Sequence, residues 1–356
     1  MSALLHQLQL VPAANFGLSD QTLSACLGYT DSLEPFSKTR VPQINPRHYF
    51  SAEHYRTLAV WWKLSKGEPL YISGPSGSGK TSTALQFCAR LNVPVVSVTA
   101  RARMDRRELI GHWAVKGGQT FFVDGPASLA WRHGWVLLIN EFSAAPADMW
   151  VSCNDILEGL PLDNDATGEV IERHPMTRVI VTDNTRGHCA EIDDGFFGRQ
   201  IQDRSVIDRF WHMRMEGLSE EDEAKLLLAT ADESLLAGFK PETVVRLCKA
   251  LAKAGGDSRA AAASQAIGFD SHAVPISFRA LSRLRDMILC TAAEGSDTGK
   301  ERLLQLARTA FTEALDRTAR ETAETLIVTS VGRIPNDLKR SYKGSVNTAA
   351  LTETLL

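Results

Sequence analysis

Paired cysteines are missing. The six in the chain, Cys26, Cys88, Cys153, Cys189, Cys248 and Cys290, are scattered and form no C-x-x-C unit. That excludes a zinc-ribbon or disulfide-stapled architecture and leaves single small apolar residues in a reducing compartment, expected to be the cytoplasm. His112, His133, His174 and His188 are equally dispersed, without metal-ligand spacing. No apolar run reaches the ~18 residues that a membrane span needs, and no basic stretch precedes the apolar residues of MSALLHQLQLVPAANFG. Neither a bilayer segment nor a secretory signal is expected. An excess of charge of one sign is lacking too. The 39 Lys and Arg against 42 Asp and Glu leave −3, which argues against a surface that coats nucleic acid, though not against a local basic lining. Internal repeats and low-complexity tracts are absent.

What is present, at 356 residues, 44% hydrophobic and 23% charged, suffices for two domains with their own cores. Residues 1–45, with Pro12, Pro35 and Pro42, read as an N-terminal extension carrying one or two short helices. Ser51 is placed to cap a helix through AEHYRTLAVWWKL that stops near Gly67. Short apolar runs then alternate with helical patterns. Strands are expected over 70–73, 93–98, 135–139, 178–182 and 210–215, and helices over 81–91 and from 106. Short strands separated by helices predict an α/β core, residues 46–216, built on a five-stranded parallel sheet covered on both faces. After Gly217 the strand signal vanishes. Ser219 precedes EEDEAKLLLATA, whose acids suit a first helical turn, and helical periodicity continues through 241–254, 277–293 and 298–326. Residues 217–326 thus read as an all-helical domain and 327–356 as a polar tail.

The strongest motif is Gly74, Pro75, Ser76, Gly77, Ser78, Gly79, Lys80 and Thr81, followed by Ser82. It matches G-x-x-x-x-G-K-[ST] and lies between an expected strand and an expected helix, the context that gives the pattern its meaning. Glycines allow the backbone N–H groups to wrap phosphate oxygens, and the helix N-terminus adds its positive end. Lys80 is placed for the β- and γ-phosphates and Thr81 for Mg²⁺. The strand over 135–139 ends in Asn140 and Glu141. At such a strand end an acid normally reaches the metal. Here Asn140 can act only through a metal-bound water, while Glu141 retains the capacity of a general base. The next strand ends in Asp183-Asn184-Thr185, where the Asn184 amide could hold the attacking water or simply make a turn. Arg209, in Ile207-Asp208-Arg209-Phe210, could complete a neighbouring subunit's site, with Arg204 as rival and a surface pair with Asp208 as the plain alternative. Arg279, in Pro275-Ile-Ser-Phe-Arg279, could sense nucleotide from the helical domain, with Arg283 and Arg285 as alternatives and a solvated helix face as the plain one.

Taken in order, the phosphate loop, Leu109-Ile-Gly111, Gly117-Gly-x-x-Phe121-x-x-Asp124-Gly125-Pro126-x-x-x-Ala130, the Asn140-Glu141 strand, Asp183-Asn184-Thr185 and Asp208-Arg209-Phe210 resemble the MoxR-type AAA+ ATPases, and within them the cobaltochelatase small (CobS-like) subunit. Gly28-Tyr-Thr-Asp-Ser-Leu, 41–50 and Gly195-Phe-Phe-Gly198 add to the likeness, which runs over about 25–290. The resemblance implies an AAA+ core with a helical lid, ATP and Mg²⁺ as ligands, and a homo-oligomeric ring, usually a hexamer. It also implies a partner with a von Willebrand factor A domain. By the same resemblance Glu141 activates water, Asn184 senses the γ-phosphate, Arg209 is the trans finger and Arg279 the lid sensor. The loops 112–119 and 161–174 match insertions that act on a client protein. The expected function is therefore an ATP-hydrolysing ring motor that remodels a partner protein; cobalt insertion is a narrower version of it. A nucleic-acid motor, motivated by Arg101, Arg103, Arg106 and Arg107, and a nucleotide-gated structural ring with weak hydrolysis, motivated by Asn140, are the alternatives.

Overall fold

The computed structural model describes residues 7–20, 22–185, 200–266, 273–294, 299–332 and 334–338. The chain divides into two compact units, Met1–Glu216 and Gly217–Leu356.

The strands of the first unit are β1 (Leu8–Val11), β2 (Cys26–Tyr29), β3 (Leu70–Ser73), β4 (Val95–Thr99), β5 (Gly111–Lys116), β6 (Gln119–Asp124), β7 (Val136–Asn140), β8 (Leu162–Asn164), β9 (Glu169–Ile171), β10 (Arg178–Asp183) and β11 (Trp211–Arg214). Five of them make one parallel sheet in the order β11-β3-β10-β7-β4, the sheet the sequence predicts. Its central strands are buried on both faces because their apolar residues alternate between two cores. Leu70, Ile72, Val136, Leu138 and Ile180 face one layer with Leu58, Trp61 and Trp62 of the helix Ala52–Leu64 and Phe87 of the helix Lys80–Arg90. Tyr71, Leu137, Ile139, Val179 and Val181 face the other with Trp131, Phe142 and Trp150. Ser51 caps its helix through His54 N at 3.1 Å, as expected.

The N-terminal segment carries the short helical elements expected, the 3-10 turn Ala13–Phe16 and the helix Pro35–Lys38. It also holds an antiparallel pair, β1 and β2, joined through that 3-10 turn, which was not expected. Val11, Phe16, Cys26 and Tyr29 are buried in the first core beside Tyr55 and Phe87. The alternating apolar residues of this pair are too few to be told from a helix by pattern alone. Two further antiparallel pairs, β5-β6 and β8-β9, occupy the two insertions. Both are built on the helix Pro126–His133. The Trp131 indole donates to Leu160 O at 2.8 Å, and the Arg132 guanidinium meets Asp124 of β6 at 2.9 Å and Glu169 of β9 at 2.6 Å.

The second unit contains, among its described residues, helices and no strand; the main ones are Glu220–Ala229, Pro241–Ala266, Phe278–Ala293, Lys300–Ala310 and Arg317–Val331. Ser219 caps the first of them. Leu227, Leu247, Leu251, Leu281, Leu284 and Ile288 are fully buried in its core. The helix Arg317–Val331 runs past position 326, where the tail was expected to begin, and Ile327 and Val331 are buried.

Candidate functional site

Buried strand β3 ends at Ser73, and the chain turns through Gly74–Gly79 into the helix Lys80–Arg90. Gly79, at φ 87°, is the N-cap of that helix and supplies no side-chain acceptor, so the first-turn amides are not capped by it. Gly74 has φ 151°, and a β-carbon there would stand 2.1 Å from Met215 O. The wall behind it is fixed, because Met215 N donates to Ser73 O at 2.8 Å. Alanine at 74 is therefore expected to displace the loop or strand β11, lowering the melting temperature by at least several degrees and weakening nucleotide binding more than alanine at exposed Ser76. Differential scanning calorimetry together with nucleotide titration checks this.

Lys80 is nearly buried, 8% exposed. Its Nζ donates to Gly74 O at 2.7 Å, Pro75 O at 2.8 Å and Asn184 Oδ1 at 2.9 Å. One ammonium thus gathers the loop and the tip of β10. Beside it, Asn140 Oδ1 accepts from Thr81 Oγ1 at 2.8 Å and from Thr182 Oγ1 at 3.0 Å. The parallel register that sets Thr182 opposite Asn140 brings this about. Glu141 follows in the left-handed region, φ 58°, heading the 3-10 turn Phe142–Ala144. Buried Asp183 accepts from the Tyr71 hydroxyl at 3.0 Å, Ser143 N at 2.6 Å and Asn184 N at 2.7 Å, and so holds the end of β10 in place. Ser82 Oγ lies 3.1 Å from His48 Nδ1, and burial pushes the His48 imidazole down to about 4, keeping it neutral near pH 7. Thr182, Asp183, Tyr71, Met215 and His48 were not singled out in the sequence. Asp183, Thr182 and His48 stood within quoted stretches and Tyr71 and Met215 within expected strands, but their contacts become visible only through strand register and chain reversal.

A Mg²⁺ ion bound with a nucleotide fits this place in a particular way. The oxygens at hand, on Thr81, Asn140 and Thr182, are neutral, and no group of three His, Cys, Asp or Glu residues suited to a metal occurs among the described residues. Such a set holds Mg²⁺ only alongside phosphate oxygens and water, which is how the ion is bound in nucleotide sites.

Arg209 does not pair with Asp208. Its Nε donates to Glu158 Oε1 at 2.8 Å and its Nη1 to Ser205 O. Arg204 is exposed and opens the helix Arg204–Ile207, capped by Asp203. In the second unit Arg279 is exposed in the first turn of the helix Phe278–Ala293, and Arg283 is exposed as well. Arg285 is buried and used internally, on Leu227 O, Thr230 Oγ1 at 3.0 Å and Asp286 at 2.7 Å. Of the basic cluster, Arg101 pairs with Glu108 and Arg106 with Asp155. Gly195 to Gly198, His188 and Cys189 lie outside the described residues.

A family model described as AAA domain (dynein-related subfamily) matches residues 69–200. That span holds the phosphate loop, Asn140, Glu141 and Asn184. Among curated proteins, the chain is 33% identical over 119 residues to Protein NorQ of Paracoccus denitrificans (strain Pd 1222), covering 33% of this chain and 43% of NorQ. It is 28% identical over 216 residues to the aerobic cobaltochelatase subunit CobS of a Sinorhizobium species, covering 59% of this chain and 64% of CobS. It is 27% identical over 233 residues to an uncharacterized protein of Staphylococcus aureus (strain USA300), covering 62% of this chain and 83% of that one. The match thus spans less than two thirds of NorQ and of CobS.

Proposed function

Because the chain is a MoxR-type AAA+ protein, related to CobS and NorQ, we propose that it binds ATP with Mg²⁺ at Gly74 to Ser82, hydrolyses it as a homo-oligomeric ring, and uses the cycle to remodel a partner protein. The observation that carries this reading is the Lys80 ammonium held between Gly74 O, Pro75 O and Asn184 Oδ1 at the start of a helix. Those partners set the cation where loop amides and helix N-terminus converge, an arrangement suited to a triphosphate.

The roles we assign are those the family resemblance implies. Magnesium-bound ATP supplies the phosphoanhydride to be broken. Thr81 and Asn140 would hold Mg²⁺, Asn140 through a water, and the ion would neutralise phosphate charge there. Glu141 takes a proton from the attacking water. Asn184, fixed against Lys80 and backed by Asp183, keeps that water in line. Arg209 of a second copy of the chain stabilises the charge that develops, and Arg279 reports the nucleotide state to the helical unit. A hexamer in the cytoplasm, working with a von Willebrand factor A protein through the β5-β6 and β8-β9 hairpins, completes the proposal. Trp113, Val115 and Phe121 are exposed on the first hairpin, which suits contact with a protein.

Neutral Asn140 favours one second reading, a nucleotide-gated ring with slow turnover. The nucleic-acid reading loses support, since two of its four arginines are neutralised by carboxylates. Phosphate release followed against Mg²⁺ and protein concentration, with particle mass measured in parallel, tests the proposal. We expect Mg²⁺-dependent release that rises with assembly. ATP-driven assembly without release would establish the gated ring instead, and neither response would overturn both.

A further inference from the structure

Arg209 is held on two sides by its own chain. Nε is occupied by Glu158 and Nη1 by the Ser205 carbonyl, while Nη2 has no hydrogen bond from the described residues. The Glu158 anchor stands on a packed element, although its carboxylate is partly exposed. Glu158 ends the helix Asn154–Glu158, whose Ile156 and Leu157 are fully buried. Gly159 then turns the chain at φ 65° to Leu160, whose carbonyl is taken by the buried Trp131 indole. Arg209 itself sits between buried Ile207 and Phe210, in the turn that leads into β11. Arg204, the rival cation, is exposed and has no ion pair among the described residues.

A long cationic side chain that must find an anion loses rotamer freedom on doing so, and one already fixed by its neighbours has lost it beforehand. Preorganisation of this kind raises the rate of a charge-developing step without tightening the ground-state complex. We propose that Glu158 is a positioning residue for Arg209. With the Ser205 carbonyl it fixes the guanidinium so that Nη2 is offered to the terminal phosphate of ATP bound by a second copy of the chain. This rests on the function proposed above, and it selects Arg209 over Arg204 as the transferred cation.

The test uses the full-length chain with Glu158→Ala, Glu158→Gln, Arg209→Ala and the double variant Glu158→Ala/Arg209→Ala. Steady-state ATP hydrolysis is measured across ATP concentration, with direct ATP binding and melting temperature alongside. Glu158→Ala is expected to lower kcat about tenfold, within the range that lost orientation produces, with KM, ATP affinity and melting temperature unchanged. Glu158→Gln, whose amide oxygen can still accept from Nε, is expected to retain most of the activity. The double variant should be no slower than Arg209→Ala alone, because two groups acting as a unit are not additive. Wild-type kcat in Glu158→Ala beside an inactive Arg209→Ala overturns the assignment, as do losses that multiply or a Gln variant as slow as Ala. Full activity in Arg209→Ala overturns it from the other side. An inactive wild-type chain is a separate outcome, which removes the hydrolytic function itself.

Discussion

Alanine at position 80 is expected to weaken ATP binding by on the order of 100-fold and to abolish hydrolysis. A hydrogen bond to a charged group contributes about 1.5–3 kcal/mol, and losing two of them on a phosphate, each at the lower end of that range, corresponds to roughly that factor. The substitution also removes the ammonium that draws Gly74 O and Pro75 O toward Asn184. The loop then loses a cross-brace as well as a ligand. Helix Lys80–Arg90 has its own buried face in Thr83, Ala84, Phe87 and Cys88, so the fold should survive and the loss should be local. Titration with a fluorescent ATP analogue measures the first effect and phosphate release the second. Wild-type affinity in Lys80→Ala would remove the basis for a triphosphate site at this loop.

The second large effect is expected from Asn140→Asp. Asn140 Oδ1 already accepts from Thr81 and Thr182, and a carboxylate can keep both bonds while adding a charge. A carboxylate is the ligand that Mg²⁺ takes from proteins at such sites. The Mg²⁺ concentration giving half-maximal hydrolysis should therefore fall about tenfold, a gain of ~1.4 kcal/mol, modest for an added charge near a divalent ion. Turnover at saturating Mg²⁺ should rise if the neutral side chain is what limits the wild type. Hydrolysis titrated with MgCl₂ for both chains checks the shift, and an unchanged midpoint would mean that position 140 does not act on the metal.

Much of this arrangement was legible in the sequence because it is local. The phosphate loop is one continuous string, and its strand and helix announce themselves by apolar periodicity on either side. Asn140 and Glu141 follow an unbroken apolar run, so their place at a strand end could be read directly. What escaped depended on register or on distant chain. Thr182 matters because β10 pairs with β7 one residue before its tip. Met215 matters because β11 returns beside β3 and sets a carbonyl against Gly74. The plain alternative for Arg209 was a pair with its neighbour Asp208, and its carboxylate partner is instead 51 residues away at Glu158. No spacing rule links the two; only the packing of the short helix Asn154–Glu158 near the start of β11 does. The N-terminal strand pair failed for another reason: four-residue strands carry too little pattern to distinguish them from a helical turn.

That strand pair bears on what counts as the smallest self-sufficient piece of this protein. The stretch that resembles other AAA domains begins at residue 69, yet the surface it must hide is sealed from upstream. Trp62 Nε1 donates to Leu27 O, Asn92 donates to Thr30 O, Tyr29 takes Leu91 O and reaches Gly134 O, and Trp135 Nε1 finds the Ser37 hydroxyl. Gly28 lies so close to Leu91 O that a β-carbon would stand 2.3 Å from it. A fragment trimmed to the recognisable domain would uncover the Trp135 indole N–H, the turn at Leu91 and Asn92 and the ring of Phe87 at once. The opening segment is a structural wall of the nucleotide-binding body, and it would have to travel with that body in any recombination, fusion or excision.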